Sequence, residues 1–128
     1  MDRTWLALGS LFMFIAVAAG AFGKHALKNR LSPELLDIFE VGVRYQAYHG
    51  LALLALSVAA AARPGMACTV AGIAFAAGIC IFSGSLYALA LTGVRAFGAI
   101  TPIGGVLLLS GWLALLWSAI GPARGVVS

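Results

Sequence analysis

Residues 44 to 54 read RYQAYHGLALL: an arginine, two tyrosines, a glutamine and a histidine fall within six positions, and apolar sequence follows at once. Guanidinium, phenol, carboxamide and imidazole are groups that hydrogen-bond a small ligand, shuttle a proton or ligate iron. On a helix, Tyr45, Tyr48 and His49 share a face, with Arg44 beside Tyr48 and Gln46 toward His49 and Gly50. Ser83, Ser85 and Tyr87 form a second cluster, and Thr92, Arg95 and Thr101 follow it. His25 is the other histidine.

The types and spacings narrow the chemistry. A Ser83–His49 pair would need a third group to orient the imidazole, and none is available. There is no nucleophile elbow, phosphate loop or pair of carboxylates at depth, so the reading is not an enzyme. His25 and His49 are the one pair able to offer two imidazoles to a haem iron or other metal. Neither has a carboxylate at depth to orient it, and no helix carries metal-ligand spacing, so no metal and no cofactor is expected. Cys68 and Cys80 lie within one apolar run and fit small buried hydrophobes rather than a zinc site.

These groups must be positioned by a greasy chain. Of 128 residues, 62% are hydrophobic and 9% charged. A soluble domain carries roughly a quarter charged residues, so too little polar surface exists here to cover a water-soluble globule. The chain reads as one integral membrane domain. The net charge of +4 comes from basic residues that punctuate the ends of apolar runs. That is how membrane spans are flanked, and it excludes a nucleic-acid partner.

Four helices are expected, at about 4–28, 33–62, 67–91 and 102–120. The first holds no formal charge from Thr4 to Gly23, about the 20 residues that cross a hydrocarbon core. Arg3 and the small residues at Ala18 to Ala21 mimic a signal peptide, but the apolar stretch is longer than a signal core. Ser32-Pro33-Glu34 opens the second helix with an N-cap, a first-position proline and an acid in the first turn. Leu35, Leu36, Phe39 and Val43 form a stripe, with Glu40 placed to pair with Arg44. This helix therefore begins as an amphipathic lead-in at the interface and either runs straight on or bends near Gly42. RPGM (63–66) is a turn. Thr101-Pro102 is read as N-cap and first position of the last helix, which ends before Gly121-Pro122 and a short polar tail to Ser128.

On the third helix Gly72, Ala76, Cys80, Gly84 and Ala88 recur every four residues. In lipid such a groove lets helices approach closely, which places this helix at the centre of the bundle or at a subunit interface. Four passes put both termini and the 63–66 turn at one end. His25, Arg44, Tyr45, Gln46, Tyr48, His49, Ser83, Ser85, Tyr87 and Thr101 then gather toward the other, where they are expected to form a polar pocket or a hydrogen-bond network. That end carries Lys24, Lys28, Arg30, Arg44 and Arg95, against Arg3, Arg63 and Arg124. By the positive-inside rule it is cytoplasmic and both termini are outside.

GAFGKHALKNRL (20–31), YQAYHGLALL (45–54), FSGSLYALALTG (82–93), ITPIGG (100–105) and GW (111–112) resemble, in order and over nearly the whole chain, the domain-of-unknown-function 423 family. These are the UPF0382 group of small bacterial membrane proteins, related to transmembrane protein 256. The family often has a small residue where Lys24 stands. The resemblance implies an all-α, four-helix protein of the bacterial plasma (inner) membrane and supplies no catalytic residues. Two roles follow as expectations. One is a non-enzymatic interaction or accessory protein, homo-oligomeric or part of a membrane complex. The other is a protein that binds or carries a lipid, quinone or other small molecule in the polar pocket.

Overall fold

The structure is a computed structural model that describes residues 2–122; Arg124 and the polar tail to Ser128 lie outside the described residues. Four long helices follow in order. α1 (Asp2–Ala18) continues through a π-helical turn (Ala19–Gly23) and a last α-turn (Lys24–Leu27). α2 spans Pro33–Ala62, α3 spans Met66–Thr92, and α4 spans Thr101–Ile120 after a 3₁₀ turn over Arg95–Ala99.

Local chemistry sets most of these boundaries. The Ser32 hydroxyl accepts the Leu35 N–H at 3.2 Å and Pro33 occupies the first turn of α2, so two of the orphan donors need no water. α2 then runs unbroken through Gly42. α3 stops at Gly93, whose φ of 72° and N–H to the Leu89 carbonyl (2.7 Å) make a left-handed cap that only glycine adopts without strain. α4 departs slightly from expectation. Thr101 lies inside the helix, Ile100 takes the cap position, and no side chain caps it. The Thr101 hydroxyl is engaged elsewhere, as described below.

Each helix packs antiparallel on its sequence neighbour, and α2 and α3 form the middle of the bundle. Gly9 of α1 meets Gly50 of α2, Gly20 meets Val43, and Gly23 meets Phe39. α3 and α4 approach at Gly78 on Leu108, Gly104 on the Phe82 backbone, and Gly111 on the Phe75 ring. The core of Trp5, Leu53, Leu56, Phe75, Ile79 and Leu108 is closed from the α1 side by Trp5, whose ring lies over Gly72. α1 is thus an integral packing element.

The small-residue run on α3 is only partly covered by this packing. Gly72 is buried under Trp5, but Cys80 is exposed and a methyl added at Gly84 would meet nothing within 4 Å. The contacts to α2 and α4 use the faces of α3 through Ser83 and Gly78, which lie about a third of a turn to either side of Gly84. The run of four-residue steps leaves the α2 and α4 contacts and turns outward. The lead-in of α2 behaves as expected, with Phe39 buried and Asp37 exposed. Glu40, however, pairs with Lys24 at 2.8 Å rather than with Arg44.

Large apolar side chains point outward on every helix, among them Phe14, Phe22, Val58, Ile73, Leu109 and Leu113. Arg3–Leu27, Met66–Thr92 and Arg95–Ile120 are long and apolar enough to cross a membrane. α2 has 30 residues, about 45 Å of helix, and its polar cluster is what lowers its apolarity. The molecule is an integral membrane four-helix bundle, with the first turns of α2 as an interfacial lead-in.

Candidate functional site

The antiparallel pairing of α2 with α3 brings the two polar clusters of the sequence together. Gly42 has no side chain, so the Tyr87 ring packs close against it, 5.2 Å from the Phe39 ring by centroids. From there the Tyr87 hydroxyl donates to Gln46 Oε1 at 2.7 Å. Gln46 Nε2 donates to the Phe12 carbonyl of α1 at 2.8 Å. One buried carboxamide thus ties three helices. One turn along, the Ser83 hydroxyl donates to the Gly42 carbonyl at 2.7 Å. Ser85 and Thr101 share a hydrogen bond of 2.6 Å between α3 and α4.

His49 sits deeper, stacked near Tyr45 and packed on Phe75 and Trp112. Its Nδ1 lies 2.6 Å from the Tyr45 carbonyl, and its Nε2 lies 3.0 Å from Trp112 Nε1. An indole N–H can only donate and a carbonyl can only accept. His49 is therefore the neutral tautomer that carries its proton on Nδ1. Both ring nitrogens are in use, so neither is free to ligate a metal.

The other expected members fall outside this network. Arg44, Tyr45 and Tyr48 are exposed, the two tyrosines 5.8 Å apart edge to face, with Tyr45 leaning on Phe82 at 4.7 Å. His25 is exposed and lines a small groove with Lys24, Lys28 and Leu36. Leu36 and His49 are thirteen residues apart on one helix, about 20 Å along its axis. A shared iron between His25 and His49 is excluded by that separation. Among the described residues no group of three or more metal-ligating side chains occurs.

Tyr87–Gln46, Ser83, Ser85–Thr101 and His49 thus form four separate sets of hydrogen bonds, made to one another, to Trp112 and to backbone carbonyls. Among the described residues, no buried side-chain nitrogen or oxygen lacks a partner. Chemically, such bonds can lock the packing of four helices, but they leave no spare nucleophile or base. Two participants were not anticipated. Trp112 was legible only as half of the GW block at 111–112, and the Phe12 carbonyl has no sequence signal at all.

A cavity of about 780 Å³ lies at the opposite end of the bundle, between the α2–α3 turn and the end of α4. It is lined by Arg63, Val70, Leu113, Trp117 and Ser118 among others. Arg63 donates to the Ala119 and Gly121 carbonyls at 3.0 and 3.2 Å. The sequence had marked RPGM only as a turn.

Comparison with known proteins gives one consistent picture. Residues 19–105 match the family model described as a protein of unknown function, DUF423. The chain is 47% identical over 114 residues to a UPF0382 membrane protein of Staphylococcus saprophyticus, covering 89% of this chain and 94% of the relative. It is 40% identical over 127 residues to the UPF0382 inner membrane protein YgdD of Escherichia coli, covering 99% and 97%. It is 37% identical over 119 residues to the UPF0382 membrane protein YwdK of Bacillus subtilis, covering 92% and 97%. No solved structure matches the chain.

Proposed function

The chain belongs to the DUF423 family of membrane proteins, and on that premise we propose that it is a non-enzymatic inner-membrane protein that acts by associating with another transmembrane helix. The observation that carries this reading is the uncovered small-residue face of α3, where Cys80 is exposed and a methyl at Gly84 would meet nothing. Small residues facing lipid gain little there, whereas a second helix laid on them gains close van der Waals contact. The closed polar network supports the same reading, because its groups are already committed to holding the fold. Capture of a lipid or quinone by those residues has less support, since Gln46, His49 and Ser83 are engaged within the protein.

Cys80 provides the test. In native membranes, a lipid-soluble bismaleimide or oxidant is expected to give a cross-linked species that disappears in Cys80→Ser and persists in Cys68→Ser. A product of twice the chain mass identifies a homo-oligomer, and a different mass identifies a partner subunit. A chain that stays monomeric under cross-linking, and binds nothing in native-lipid pull-downs, contradicts the proposal. For orientation we propose both termini outside, supported by the five-to-three distribution of basic residues between the two ends. An inactive carboxyl-terminal alkaline phosphatase fusion overturns that assignment.

A further inference from the structure

We propose that the cavity at the Arg63 end of the bundle holds an anionic phospholipid, its phosphate on the Arg63 guanidinium and an acyl chain against α3 and α4. The cavity, about 780 Å³, falls within the roughly 300–1,000 Å³ of small-molecule sites. Its chemistry is split in the way a lipid requires. At the mouth, Arg63 uses N–H groups of Nη1 and Nη2 on the Ala119 and Gly121 carbonyls. A guanidinium has five donors, so those two bonds fix its plane at the end of α4 and leave three for a phosphate. Below the mouth the wall is apolar, with Met66 and Val70 on α3 and Leu113 and Trp117 on α4. Each of those pairs spans one helical turn, about 6 Å along the membrane normal, which offers a path for a chain and not for a soluble anion alone.

At the other end Glu40 pairs with Lys24 and Glu34 with Arg95, while Lys28, Arg30 and Arg44 form no ion pair among the described residues; what distinguishes the Arg63 end is the apolar wall beside its guanidinium. Among the described residues no carboxylate pairs with Arg63. The first turn of α3 borders the same cavity and lacks a side-chain cap, so its free N–H groups add to the positive potential. Arg63 closes a long helix, which places it at headgroup depth, with Trp117 alongside as an interfacial aromatic. The site shares no residue with the Cys80 face, so it stands or falls apart from the association proposed above.

The test is native mass spectrometry of the detergent-purified chain, with phosphatidylglycerol and phosphatidylcholine added at equal concentration. Wild type is expected to retain phosphatidylglycerol about tenfold better, because both headgroups offer a phosphate but only that of phosphatidylcholine carries a choline cation that opposes the Arg63 guanidinium. Arg63→Gln is expected to abolish that preference. Val70→Trp, which fills the apolar wall and leaves Arg63 in place, is expected to lower retention of both lipids. Lys28→Gln, at the far end, is expected to change neither. Equal retention of the two lipids by wild type overturns the proposal. So does a wild-type preference in Arg63→Gln, undiminished binding in Val70→Trp, or a loss in Lys28→Gln equal to that in Arg63→Gln. If Arg63→Gln does not fold, the Val70→Trp and Lys28→Gln comparison decides by itself.

Discussion

Replacing Gly104 with alanine and replacing Gly84 with alanine are the same chemical change, and the structure assigns them opposite signs. A methyl on Gly104 would lie 2.4 Å from the Phe82 nitrogen and 2.7 Å from its Cα. Ordinary contact begins near 3.4 Å, so α3 and α4 must part by about 1 Å, a gap that forfeits a quarter to a half of the dispersion well of each facing atom pair. The struck atoms are backbone, which cannot rotate aside. The cost belongs at the upper end of the overpacking range, about 3 kcal/mol. Alanine returns up to about 1 kcal/mol of helix propensity, which leaves Gly104→Ala destabilised by about 2 kcal/mol. Gly84→Ala gains the same propensity and meets nothing within 4 Å, so it is neutral or up to about 1 kcal/mol more stable. The assay is reversible unfolding in mixed micelles, titrated with SDS and followed by far-ultraviolet circular dichroism. Phe82→Ala should not rescue Gly104→Ala, because the offending backbone remains. The collision at Gly78 is different: its nearest atoms are Leu108 Cδ2 at 2.6 Å and Cγ at 2.9 Å. Gly78→Ala with Leu108→Ala should therefore cost less than the two single changes added together. If Gly84→Ala unfolds as readily as Gly104→Ala, the packed face of α3 has been misidentified and the reasoning fails.

Two further outcomes follow from the network. Gln46→Leu strands the Tyr87 hydroxyl and frees the Phe12 carbonyl, at about 1–3 kcal/mol for a buried orphan. Adding Tyr87→Phe should recover part of that loss in the same unfolding assay, and a double variant no more stable than Gln46→Leu would refute the bonding described. With Trp5 and Trp117 replaced by phenylalanine, Trp112 becomes the sole indole. His49→Phe should then shift its emission to shorter wavelength as the N–H loses its acceptor, and an unchanged spectrum would mean that His49 and Trp112 do not bond.

The helices were legible because their signals are local. Ser32-Pro33-Glu34 and Gly121-Pro122 mark ends through the chemistry of one turn, and apolar length marks the spans. Also readable was the gathering of Gln46, His49, Ser83 and Tyr87 toward one region, since alternating passes fix depth. Azimuth was not readable. A four-residue repeat says that Gly72, Ala76, Cys80, Gly84 and Ala88 lie close to one another, but not whether another helix covers them. The glycines that do the packing, Gly9 against Gly50, Gly78 against Leu108 and Gly104 against the Phe82 backbone, become a pattern only once the partner on the facing helix is known. For the same reason Lys24 finding Glu40 was missed: it depends on where the π-helical turn of Ala19–Gly23 leaves the last turn of α1. Arg63 was seen as a flanking charge because its partners are backbone carbonyls 56 and 58 residues away.

The order in which the chain leaves the ribosome gives the arrangement of these bonds a temporal meaning. α1 and α2 are made first, and Gln46 can already donate to the Phe12 carbonyl within that hairpin. When α3 arrives, Tyr87 fills Gln46 Oε1 and Ser83 fills the Gly42 carbonyl. His49 Nε2 has no partner until α4 brings Trp112, 63 residues later. α3 and α4 thus each supply a partner to a side chain of α2, Gln46 and His49, that would otherwise stay unsatisfied in hydrocarbon, where that is costly. The imidazole–indole contact can close only when the last helix is in place.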